Sequence, residues 1–168
     1  ADGPASSLLG NWLCDVMRTA ARADIAFHNR TGIRSEIPAG PVTARHLYEV
    51  SPFGNELATV RLTGAQLKQV LAYALSNQRL FLETSGLVVQ YTAGPAVGQF
   101  TVGDVLVNGR PLRDNSTYTV VTNDFIADGG DGHEIFRAGT RLPATGIKLL
   151  TATEDAVRTG RAIAGPAD

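Results

Sequence analysis

The sequence predicts an α+β fold, a single domain over residues 1–168 with mixed or antiparallel sheets layered with helices. Three observations predict it. Helical apolar spacing and short strand-like runs interleave in the first half of the chain, and β-branched runs joined by tight-turn signals take over in the second. The composition, 43% apolar and 18% charged over 168 residues, suits one well-cored domain. Eighteen glycines without a repeating period point to many tight turns rather than to a fibrous or repetitive chain.

Leu8, Leu9, Trp12, Leu13, Val16, Met17 and Ala20 recur at helical spacing, and Ser6 or Ser7 is placed to cap the helix start. Trp12 and Cys14 fall on the apolar face, which makes them core residues, Cys14 an inert buried thiol. Asp24 to Phe27 reads as a short buried strand leading into a first loop, Asn29-Arg30-Thr31-Gly32-Ile33-Arg34. A turn at Pro38 to Pro41 precedes a short helix from Thr43 to Tyr48. The second loop, Pro52-Phe53-Gly54-Asn55, enters a strand from Glu56 to Leu62. Thr63-Gly64-Ala65-Gln66 has the capping-box form, and Leu67, Val70, Leu71, Ala74 and Leu75 continue it as an amphipathic helix.

Leu87 to Tyr91 and Asp104 to Val107 read as strands, with Asn108-Gly109 as a tight hairpin turn and Arg110-Pro111-Leu112 returning. Tyr118 to Thr122, rich in β-branched residues, delivers the third loop, which runs from Asn123 to Gly132. A last amphipathic helix covers Glu154 to Thr159, before the Gly165-Pro166 tail. Ala1-Asp2-Gly3-Pro4 reads as the processed edge of a longer chain.

Several function classes are excluded on these grounds. A net charge of −1 argues against a nucleic-acid polymer or an anionic membrane as the main partner. One cysteine permits no internal disulfide and no cysteine-cluster metal site. His28, His46 and His133 share no metal-ligand spacing, and no G-x-S-x-G elbow, Walker loop, H-E-x-x-H or C-x-x-C occurs. The chain therefore offers no catalytic residue and no metal ligand of its own. His28, beside Asn29, reads as structural or solvent-facing rather than as a general base.

What the three loops do offer is an inventory for binding. Arg34 presents a planar fork of donors suited to phosphate or carboxylate, and Asn29 can bond phosphate, ribose or its own loop. Gly32 lets a ligand lie against the backbone. Phe53 and Phe125, each beside glycine-containing turns, can clamp a flat ring or simply anchor their loops. Asp131 in Gly129-Gly130-Asp131-Gly132 can accept sugar hydroxyls, tie its own loop, or join Asp124 and Asp128 around calcium. Together these groups suit a nucleotide or nucleoside.

With these pieces in order, the chain resembles the C-terminal domain of the 5′-nucleotidase and UDP-sugar hydrolase family. The matching residues are Gly10-Asn11 with Asp15, Gly32-Ile33-Arg34, Pro52-Phe53-Gly54-Asn55, Leu62-Thr63-Gly64, and Asn123-Asp124-Phe125 leading to Gly129-Gly130-Asp131-Gly132. The resemblance implies a substrate-binding domain of that fold. In it Phe53 and Phe125 sandwich the base, Asn29 and Arg34 are the polar residues of the first loop, and Asp131 contacts the ribose. It further implies a separate N-terminal metallophosphatase domain of the same parent chain, absent here, whose two divalent metal ions activate the attacking water. The isolated chain is then inactive, and the parent is expected in the periplasm or outside the cell, with no membrane contact through this domain. Two departures accompany the match. Arg30 and Thr31 replace glycines usual in the first loop, and Ala5-Ser6-Ser7-Leu8 lacks an arginine common before the first helix, a charge that Arg30 is placed to restore. The altered loop keeps two alternatives open: a parent acting on a cyclic nucleotide or sulfur ester, and a stand-alone binding module without catalysis.

Overall fold

A computed structural model describes residues 7–76, 81–96 and 98–160. Its centre is a mixed five-stranded sheet. Strand β1 (Ile25–Asn29) lies parallel to β7 (Thr117–Asn123), with β2 (Leu57–Thr63) antiparallel to β7 and β3 (Leu82–Ser85) antiparallel to β1. The two-residue β8 (Thr140–Arg141) closes the edge, giving the order β3-β1-β7-β2-β8. A second, antiparallel sheet of three strands joins β4 (Leu87–Ala93), β5 (Phe100–Val107) and β6 (Arg110–Pro111).

Alternation along the strands sends neighbouring side chains to opposite faces, so both faces of the main sheet need cover. Ile25, Phe27, Val60, Leu62 and Val120 pack with Leu67, Val70 and Leu71 of α3 (Gly64–Ser76) and with Val105 and Val107 of the small sheet. On the other face Ala26, Leu57 and Val121 meet Trp12, Leu13, Val16 and Met17 of α1 (Leu8–Ala21). Leu47 of α2 (Ala44–Val50) and Leu149 and Ala152 of α5 (Leu149–Arg158) complete that layer. The α+β class is thus as the alternating pattern predicts. Trp12 and Cys14 are core residues, and burial raises the Cys14 thiol well above the ordinary range.

Capping chemistry fixes the starts of α1, α2 and α3. Ser7 accepts from the Gly10 amide at 2.9 Å, and Thr63 and Gln66 exchange side-chain and backbone bonds at 2.8 and 3.2 Å. Thr43 is the cap of α2 rather than its first residue, bonding reciprocally with His46. Ser6, the Ala1–Pro4 segment and the Gly165-Pro166 tail lie outside the described residues.

Several boundaries differ from the sequence reading. The last helix starts at Leu149, not Glu154, because its cap position holds Lys148 and makes no side-chain bond, leaving no capping signal. The first strand runs two residues further, through His28 and Asn29, and β5 begins at Phe100. Strand β3 was absent from the reading because it carries Glu83, a charge fully buried at the sheet edge. The four-residue α4 (Asp124–Ala127), too short for periodicity to reveal, follows β7 directly.

Candidate functional site

Because β1 and β7 run parallel side by side, their carboxyl ends reach the same edge of the sheet. The antiparallel β2 brings its amino end there too, with Leu57 opposite Asn123. The three loops singled out above therefore meet at one end of the molecule. In open sheets of this kind that end commonly presents ligands.

Asn29 closes β1 and is only 6% exposed. Its Oδ1 accepts from Asn123 Nδ2 at 2.9 Å, while its Nδ2 donates to Thr31 Oγ1 at 2.7 Å and to Asp131 Oδ2 at 3.1 Å. Both amide hydrogens are thereby committed within the protein. Thr31 Oγ1 in turn donates to Asp131 Oδ2 at 2.7 Å, and Asn123 Oδ1 caps α4 by accepting from Ile126 N at 2.8 Å. One network thus welds the first loop to the third.

Asp131 sits in a 3-10 turn, Gly130–Gly132, at φ 53°, ψ 20°. A left-handed conformation is uncommon outside glycine, although aspartate tolerates it better than most residues. Its carbonyl accepts from the Tyr73 hydroxyl at 3.2 Å, so backbone and side chain are both pinned. Oδ2 carries two donors, whereas Oδ1 has no hydrogen-bond partner among the described residues.

The two phenylalanines stand at 55% (Phe53) and 48% (Phe125) exposure, among the few large apolar side chains left open to solvent. Neither is paired with another ring among the described residues. Phe125 rests on the backbone of Gly130, where a Cβ would fall 2.5 Å from its ring. Their loops are tied together: Asn55 Nδ2 donates to Asp124 Oδ1 at 2.6 Å, and the same oxygen accepts the Phe125 amide at 2.9 Å. The Asp124 amide donates to the Glu56 carbonyl at 2.9 Å. Asp124, Asp128 and Asp131 therefore have separate partners, Asp128 pairing with Arg141 at 3.4 Å. Among the described residues no three His, Cys, Asp or Glu side chains come together in a way that could hold a metal ion.

Gly32 is buried, and a Cβ there would lie 2.8 Å from His28 Cε1 and 2.9 Å from Asn29 Oδ1, so close packing demands glycine. His28 is wholly buried, its Nδ1 bonded to the Asn29 carbonyl at 2.9 Å and its Nε2 without a partner among the described residues. Burial lowers its pKa to about 4 against the weaker opposing pull of that carbonyl, which keeps the ring neutral and structural.

Arg34 is exposed, held by a 2.8 Å bond from its amide to the Val50 carbonyl and a longer 3.3 Å bond from its guanidinium to the Thr31 carbonyl. Arg34 also lines a cavity of about 960 Å³ with Arg30, Ile33, Ile37 and Glu83, a space that includes neither phenylalanine nor Asp131. The geometry of the hydrogen-bonded loops, rather than the size of that cavity, marks the candidate site. Arg30 is engaged as a structural cation instead of a spare one. Its Nε meets Glu83 Oε1 at 3.0 Å, and its guanidinium lies 4.4 Å over the Phe81 ring.

Sequence reasoning did not give Thr31, Asn55, Asn123 and Asp124 their bonding roles. Thr31 stood out only as a departure, and Asn123 carried the N-cap residue type two positions ahead of the Phe125-Ile126 pair. Nothing in the sequence pairs Asn55 with Asp124 across 69 positions.

Comparison with known proteins identifies relatives of this fold. The family model for the 5′-nucleotidase C-terminal domain matches residues 3–138. The chain is 37% identical over 141 residues to the trifunctional nucleotide phosphoesterase protein YfkN of Bacillus subtilis, covering 76% of this chain and 10% of that one. It is 35% identical over 152 residues to the cell wall protein Lmo0130 of Listeria monocytogenes, covering 82% of this chain and 19% of that protein. Among solved structures, a 5′-nucleotidase precursor from Thermus thermophilus superposes with a TM-score of 0.82 at 35% identity, over 92% of this chain and 32% of that one. The chain thus spans a third or less of each of these relatives.

Proposed function

This chain belongs to the 5′-nucleotidase C-terminal domain family, and on that premise we propose that it is the nucleotide-recognising part of a larger phosphohydrolase. The base stacks between Phe53 and Phe125, Asp131 holds the sugar, and Arg34 meets the phosphate. Asn29 serves this site by orienting Thr31 and Asp131, and Gly32 by letting the first loop close on His28. The observation that carries the reading is the pair of half-exposed phenylalanines on loops cross-linked through Asn55 and Asp124. Exposing two large aromatic rings on braced loops has little value for folding and suits a flat ligand.

Hydrolysis belongs to a separate N-terminal domain of the parent chain, where two divalent metal ions supply a nucleophilic water and neutralise developing charge. The relatives' names, a nucleotide phosphoesterase and a cell wall protein, support a substrate of the nucleotide class and a location outside the cytoplasm. No helix among the described residues is long and apolar enough to cross a membrane.

Titration calorimetry with adenosine and AMP tests the binding role. Saturable binding is expected, weakened by Phe53→Ala by about 1–3 kcal/mol, the usual value of one stacked aromatic. Because Phe53 is exposed, its removal should leave the unfolding midpoint nearly unchanged. Absence of binding up to millimolar concentration, or binding indifferent to Phe53→Ala, would reject the reading.

A further inference from the structure

The end of the molecule opposite the three loops carries a second concave surface. Strand β7 is seven residues long, about 20 Å, so its amino end stands well away from Asn123 and the loops gathered there. Beside that amino end lies a cavity of about 620 Å³, lined by Asn108 and Arg110 of the hairpin and by Arg113, Ser116 and Tyr118. Backbone and amide groups brace its walls. Asn108 Oδ1 accepts from Arg18 Nη1 at 3.0 Å, the Arg113 amide donates to the Tyr118 hydroxyl at 3.0 Å, and the Ser116 amide donates to the Arg113 carbonyl at 3.0 Å. The charged heads are left over. Among the described residues the guanidiniums of Arg110 and Arg113 make no ion pair and no hydrogen bond, and the Ser116 hydroxyl has no partner, whereas seven other cations each have a carboxylate. The one carboxylate in the lining, Asp24, accepts from the Thr119 amide at 2.8 Å, and Asp114, next to Arg113 in the chain, pairs with Lys68 at 2.7 Å. Arg18 adds a cation behind the Asn108 turn, its Nε buried without a partner among the described residues.

We propose that this cavity is a phosphate-binding site, separate from the loop site, that takes free phosphate or the phosphate group of a monoester. Two guanidiniums sharing one concavity repel each other, and an anion seated between them turns that repulsion into attraction. A phosphate dianion has the charge for both and enough acceptor oxygens for two planar forks and a hydroxyl. Arg110 and Arg113 supply the charge. Ser116 adds a hydroxyl donor, and the Tyr118 hydroxyl, which accepts from the Arg113 amide, keeps its own hydrogen to give. A carboxylate carries half that charge and two oxygens, so it matches the site less well.

The test is an NMR titration of the 168-residue chain with inorganic phosphate, glycerol phosphate and acetate at fixed ionic strength, repeated on Arg110→Gln, Arg113→Gln and Arg34→Ala. Both phosphate probes should give saturable shifts of the Asn108 and Ser116 amides, and the tighter of the two identifies the source the cavity prefers. Either arginine variant should weaken that binding roughly tenfold, the loss expected for one hydrogen bond between charged groups. Both arginines are exposed, so these variants should keep the unfolding midpoint of the unaltered chain, and lost binding is then not lost folding. Arg34→Ala, which alters the loop site alone, should leave the shifts at Asn108 and Ser116 intact. Acetate should bind about tenfold more weakly than phosphate. The inference is overturned if acetate binds as well as phosphate, if chloride reproduces the shifts, if they vanish in Arg34→Ala, or if both arginine variants bind undiminished. Adenosine carries no phosphate and should not move these amides, so its failure to bind at the loops would reject the nucleoside reading and leave this one standing.

Discussion

His28, beside the first loop, is a single residue placed to make the fold sensitive to acid. The ring lies wholly inside the protein, its Nε2 lacks a partner among the described residues, and burial lowers its pKa from 6.5 to about 4. The unfolded chain therefore takes up a proton near pH 6.5 that the native state refuses until about pH 4. Between those values the unfolded state binds more protons, so stability rises with pH across the window and is lost as pH falls through it. The shift corresponds to about 3 kcal/mol between the two ends. His28→Gln should flatten this part of the profile, measured as the change in urea midpoint between pH 4 and pH 7. An equal pH dependence in both proteins would place the acid sensitivity elsewhere.

At the level of elements, the loops were legible in the sequence and their bracing was not. Phe53 before Gly54, Phe125 ahead of the Gly129-Gly130 turn, and Asp131 between Gly130 and Gly132 stand out because their types and turns are visible in a few adjacent residues. The capping box at Thr63 and the alternation in β7 are equally local signals, and the structure contains both. The bonds joining Asn29 to Asp131 and Asn55 to Asp124 span 102 and 69 positions, and no local pattern records them. Strand β3 escaped for a related reason, since Glu83 is tolerable inside only once Arg30 is known to face it. The brace between the second and third loops can be tested directly. Asn55→Ala deprives a partly buried carboxylate of a donor and should cost roughly 1–3 kcal/mol of stability in thermal melts. Faster exchange of the Phe125 amide, which shares Asp124 Oδ1, should accompany it. Unchanged exchange at Phe125 would show that the third loop stands without the brace.

Across the whole molecule, two packed layers and a mixed sheet deliver three distant loops to one end, and the described residues bring no metal-binding cluster with them. If hydrolysis belongs to a separate domain, as proposed, the chain should release no phosphate from AMP in the presence of manganese or zinc. Metal-dependent turnover by pure material, lost on Arg34→Ala, would refute the assignment of hydrolysis to a separate domain. The alternating pattern was sufficient for the α+β class, because both faces of the sheet need apolar cover and the helices supplying it are long enough to show their period. The ion pair beneath the first loop has a consequence for descent. Glu83 divides its oxygens between the Ser7 amide and Arg30, so exchange of the arginine alone would leave a shut-in anion facing a single amide. Loss of the cation at position 30 is therefore expected to be tolerated best where position 83 has shed its charge as well.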